Sequence, residues 1–72
     1  MRSIELVVGT TNGYTVIPLT LAWANLLKGA KKVDNLKSII LSHGVNWDTV
    51  MYAQIEEEDA DEGLSIYNLL DR

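Results

Sequence analysis

Six carboxylates occupy seven successive positions in Glu56-Glu57-Glu58-Asp59-Ala60-Asp61-Glu62, the densest group of chemistry-bearing residues in the chain. With Asp48 and Asp71 they give residues 45–72 eight acids against one base, Arg72, a formal charge of −7. Residues 28–37 carry Lys28, Lys31, Lys32 and Lys37 against Asp34 alone, a formal +3. Clustered acids can solvate a surface, attract a basic partner or hold a hard cation. The spacing excludes a calcium-binding helix–loop–helix. With Gly63 at the required glycine position, Ala60 falls where an oxygen ligand is needed and Leu69 where the closing glutamate belongs.

Catalytic sets are missing. Ser42 and His43 are adjacent on an expected helix, so their side chains diverge by about 100° and do not form a nucleophile–base pair. Gly9 and Gly13 lack the Gly-Lys-Ser/Thr ending of a phosphate-binding loop. Paired carboxylates are plentiful in residues 56–62, but a chain of 72 residues leaves little room for a pocket of ~300 Å³. No catalytic residue is assigned, and the expectation is a protein that is not an enzyme. There are no cysteines and one histidine, His43, so neither a disulfide, a thiolate metal site nor a cofactor is expected. His43 is expected to bond a carbonyl at the end of its helix.

The acids then support two readings: a solvated face, or a contact surface for a larger protein with a basic surface. In the second, Glu56, Glu57, Glu58, Asp59, Asp61 and Glu62 are the partner-binding residues, with Tyr52 and Tyr67 as secondary contacts. A sharper form is DNA mimicry, in which carboxylates approach the charge density of a duplex and fill a nucleic-acid-handling cleft. The net charge of −4 argues against the protein binding nucleic acid itself. Size, acidity and absent catalytic sets resemble, in style, the small inhibitors encoded by phages.

One segment resembles the turn of bacterial helix-turn-helix domains: Gly44-Val45-Asn46-Trp47-Asp48-Thr49-Val50, within residues 36–55. That resemblance implies a DNA-binding regulator, with the four lysines on phosphates. The pattern departs at Ile40, where a small residue is usual, and the reading helix would carry Met51, Tyr52 and Gln54 without an Arg or Lys. A third alternative is an assembly subunit that self-associates, basic segment against acidic segment.

The elements that must position these residues follow from patterning. Composition, 47% apolar and 22% charged with one proline, is that of a single small globular domain spanning residues 1–72. The segment Met1-Arg2-Ser3-Ile4-Glu5 gives no secretory leader, and strictly apolar runs reach only three or four residues. No membrane association and a cytoplasmic location are the expectations. Residues 4–8 and 14–17 are rich in β-branched and aromatic types and flank Gly9-Thr10-Thr11-Asn12-Gly13, which predicts a hairpin turning on Asn-Gly and ending by Pro18. Thr20 caps a helix with Leu19, Ala22, Trp23, Leu26 and Ala30 in its apolar stripe, ending near Gly29. Asp34 caps a second, with Leu36, Ile39, Ile40 and His43 on one face and Gly44 after it. Trp23 and Trp47 are expected in the core.

Residues 47–58 fit either period. Met51, Ala53 and Ile55 alternate as in a strand, whereas Trp47, Val50, Met51 and Ile55 make a helical stripe. Composition and caps favour the helix, against the dipole cost of ending it on three glutamates. Leu64, Tyr67, Leu69 and Leu70 suggest a last short helix. The expected fold is thus α+β: an N-terminal β-hairpin followed by three or four short helices, with residues 49–57 as the alternative third strand.

Overall fold

The computed structural model describes residues 2–29 and 31–72. The chain runs β1 (Arg2–Thr10), β2 (Gly13–Pro18), α1 (Leu21–Lys28), α2 (Lys32–Ser42), one 3-10 turn (Trp47–Thr49), β3 (Val50–Asp59) and β4 (Gly63–Asp71). The strands form one antiparallel sheet in the order β2-β1-β3-β4. The class is α+β, but the expectation of three or four helices after the hairpin is overturned: among the described residues there are two helices, and everything from Val50 to Asp71 apart from one turn is sheet.

Why the sheet wins over helix in residues 50–71 is visible in the register. Leu6 of β1 stands between Ile17 of β2 and Ile55 of β3, and all three side chains are fully buried. A two-stranded hairpin is marginal in water. Pairing β3 beside β1 supplies the third strand and brings Val50, Ala53 and Ile55 into the core with Leu6 and Val8. It also removes Glu56, Glu57 and Glu58 from the negative end of a helix. β3 then needs a neighbour on its other side, and the segment containing Leu64, Tyr67, Leu69 and Leu70 pairs with it as β4. Of those four, only Leu69 reaches the buried core.

Both helices pack on one face of the sheet, where Ala24 and Leu27 of α1 and Leu36, Ile39 and Ile40 of α2 complete the core. Thr20 caps α1 as expected, its Oγ1 accepting from the Trp23 N–H at 3.2 Å. The predicted stripe of α1 is corrected: Ala24 and Leu27 are buried, while Ala22 and Leu26 face solvent. Ala30 lies outside the described residues. α2 opens three residues earlier than the Asp34 cap predicts, after Lys31 in the left-handed conformation (φ 59°), which leaves Asp34 in the first turn. Gly44 follows α2 at φ 76°, as a terminating glycine does. Trp23 and Trp47 are half-buried against the core. The hairpin turns on Thr11-Asn12, with positive φ confined to Gly13, so the Asn-Gly turn is shifted by one residue from expectation.

The helix-turn-helix reading of residues 36–55 is also overturned. After Ser42 the chain makes one 3-10 turn capped by Asn46, whose side chain accepts from the Asp48 N–H, and then enters β3. The residues that would have formed the reading helix are strand, and Tyr52 and Gln54 point away from α2.

Candidate functional site

Because side chains alternate across a strand, the register assigns each acid to a face. Leu6 and Ile55 point at the helices, so Glu5 and Glu56, directly opposite one another on β1 and β3, project from the uncovered face. Glu58 joins them two residues further along β3. Glu57 points the other way. Its Oε1 accepts from Lys28 Nζ at 2.8 Å, tying β3 to the end of α1. The Lys28 ammonium also lies 5.4 Å from the centroid of the Tyr67 ring, on that same side. Asp59 closes the strand, its carboxylate accepting from the Asp61 N–H at 2.9 Å. Asp61 and Glu62 stand exposed at the tip of the β3–β4 turn.

The six acids that the sequence groups together are therefore divided. Glu56 and Glu58 share the open face, Asp61 and Glu62 the turn, and Glu57 and Asp59 take part in holding the fold. Tyr52 and Tyr67 likewise part company, Tyr52 to the open face and Tyr67 to the helical side. Glu5 belongs with the open-face acids and was missed by sequence reasoning. It could have been found only by pairing β1 with β3, which a helical reading of residues 47–58 prevents.

The open face has an apolar half and an acidic half. Tyr14, Gly9 and Tyr52 form one row across β2, β1 and β3, and Val16, Val7 and Gln54 the next. Tyr14 is 73% exposed and Val16 41%, so this half is free to meet another surface. Beyond them lie Glu5 and Glu56, flanked by Ile66, then Glu58 flanked by Leu64. The Gln54 side-chain amide donates to Glu56 Oε2 at 2.8 Å. The lysines are elsewhere: all four lie on or between the helices, and Arg72 folds over Trp47, with its guanidinium 4.9 Å from the ring.

His43 sits at the end of α2 with Nδ1 3.1 Å from the Ile39 carbonyl and 3.3 Å from Ser42 Oγ. The Ser42 hydroxyl donates to that same carbonyl at 2.7 Å, so both side chains serve the helix terminus. Among the described residues there is no pocket, no group of three His, Asp or Glu side chains placed to hold a metal, and no helix long and apolar enough to cross a membrane. No family model, curated protein or solved structure matches the chain.

Proposed function

We propose that this chain is a non-enzymatic binding protein of the cytoplasm that regulates a larger protein with a basic surface, meeting it with the open face of its sheet. The observation that carries this reading is the Glu5–Glu56 pair. Like charges directly opposite on neighbouring strands destabilise a sheet by a few tenths to about 1 kcal/mol. The fold bears that cost on the one face that no helix covers, beside Glu58 and the exposed Tyr14 and Val16. A lysine or arginine of a partner placed over the pair would turn repulsion into two favourable contacts, and tyrosine with aliphatic neighbours supplies the desolvated centre that protein interfaces use. An inhibitor that occupies the cleft of a nucleic-acid-handling enzyme is the form of this function that the charge favours, since such clefts are basic.

The test is capture of partners from native extract by the tagged chain, its triple variant Glu5→Gln/Glu56→Gln/Glu58→Gln, and a helical-side control, Glu57→Gln. Recovery of a basic protein by the parent and the control but not by the triple variant, released as salt rises, is the expected result. Equal recovery by all three would overturn the reading.

A further inference from the structure

The two edges of the sheet are unlike. β2 is six residues long and closes on Pro18, which has no N–H to offer another strand. β4 runs nine residues, and from Gly63 to Leu70 it contains neither a proline nor a charge. Soluble proteins blunt exposed edges with short strands, prolines, charges and bulges. β4 has only a bulge at Leu69, beyond the regular stretch from Gly63 to Asn68. Leu64, Ile66 and Tyr67 on that stretch are 58%, 55% and 42% exposed.

Charge is confined to its two ends. Arg72 is fixed by hydrogen bonds from Nη1 to the Val50 carbonyl at 3.2 Å and the Trp47 carbonyl at 3.4 Å, and by the Trp47 ring. Its charge meets no carboxylate among the described residues. Asp61 and Glu62, at the opposite end, meet no cation among them. Asp71 projects on the open face beside Tyr52.

We propose that β4 is a dimer interface, in which two copies of this chain pair antiparallel along this edge to make one continuous eight-stranded sheet. A second copy is the occupant because the strand complements itself. Glu62 precedes β4 and Arg72 follows it, so opposite charges flank the uncharged strip. With the bulge at Leu69 taking up one residue, a two-fold axis through Tyr67 sets Asp71 of each copy opposite Leu64 of the other and Arg72 opposite Gly63, which brings Arg72 beside Glu62 of the other copy, twice. Opposed residues then share a face, so the helices of both copies lie on one side and the open faces run together on the other. Parallel pairing would instead set acidic turn beside acidic turn. With a net charge of −4 per copy, the uncharged strip of β4 is where two copies approach with least repulsion.

Sedimentation equilibrium of the full chain, over micromolar to millimolar concentration, tests this independently of the partner reading. The expected result is concentration-dependent conversion of the 8.0 kDa monomer to a dimer. Ser65→Lys, on the helical side of the edge, should weaken that dimer at least about tenfold, because a lysine must be desolvated against the incoming strand. Val16→Lys, on the β2 edge, should leave it unchanged. Glu62→Arg should weaken it about two- to thirtyfold through loss of two exposed ion pairs, although it lowers the net negative charge and would strengthen nonspecific association. Combining Glu62→Arg with Arg72→Glu should restore the parent affinity. If Arg72→Glu disturbs folding, as circular dichroism would report, Glu62→Arg at the exposed turn decides alone. A monomer at every concentration, a dimer indifferent to Ser65→Lys, or one broken by Val16→Lys would overturn the proposal.

Discussion

The ring of Tyr52 lies across the backbone of Gly9, in the space that any side chain at position 9 would occupy. Gly9 has no positive φ, so the requirement for glycine is one of room on the neighbouring strand and not of backbone conformation. The pairing explains why Gly9 is buried on a face no helix covers: the tyrosine is its lid. Gly9→Ala is expected to push the ring off the strand, and because Tyr52 is 38% exposed and can swing into solvent the cost should be about 1 kcal/mol or less, below that of overpacking a closed core. Denaturant unfolding checks the cost, and the NMR signals of the Tyr52 ring check the displacement.

Glu5 and Glu56 give a prediction of opposite sign. Removing one charge of an opposed like pair relieves the sheet, so Glu5→Gln should stabilise the protein by a few tenths of a kcal/mol, up to about 1. The Gln54 amide already satisfies one oxygen of Glu56, which keeps the gain at the lower end. The gain should shrink in 1 M salt, where exposed charges are screened within about 3 Å. Denaturation midpoints of parent and variant at low and high salt decide it. The same substitution should weaken capture of a basic partner, so stability and binding move in opposite directions.

A second local strain sits at Lys31, the residue before α2, which adopts φ 59° and ψ 31° without a side-chain cap. A residue with a Cβ loses of order 1 kcal/mol in that conformation, and glycine does not. Lys31→Gly is therefore expected to raise stability by up to about 1 kcal/mol, less the greater chain entropy glycine brings to the unfolded state. A thermal midpoint that falls would show that the lysine contributes contacts beyond those of its backbone.

Local signals in the sequence were decisive where one residue type does one job. Thr20 at its cap, Gly44 in the left-handed conformation after α2, and the β-rich runs of the first hairpin each appear where their chemistry requires, while Gly29 ends α1 in an extended conformation that does not need glycine. The second half of the chain was not legible in the same way, because Val50 to Ile55 supports two periods and the choice is made by Leu6, 49 residues before its partner Ile55. That one pairing also decides the site. As a helix, residues 56–58 would form a single acidic end; as a strand they alternate, sending Glu56 and Glu58 to one face and Glu57 to the other. Cross-strand neighbours such as Glu5 have no local sequence signature at all.

Lys28 shows what that alternation means energetically. Its ammonium is shared between Glu57 at 2.8 Å and the face of Tyr67 at 5.4 Å, joining α1 to β3 and β4. The Lys28 side chain is 33% exposed and that of Glu57 14%, so the pair is partly screened and belongs with ion pairs worth at most about 1 kcal/mol. The ring adds roughly 0.5–1 kcal/mol for a cation near the surface. Lys28→Met keeps most of the aliphatic stem and removes both interactions, and a loss of about 1 kcal/mol is expected, smaller in high salt. Lys28→Arg, which can reach both groups, should lose less. Because Lys28 and Glu57 face the helices, Lys28→Met should leave partner capture as it is while Glu56→Gln and Glu58→Gln reduce it. Unfolding curves paired with the same capture assay separate the two roles, and a Lys28→Met variant that keeps full stability but loses its partner would move the binding surface to the helical side.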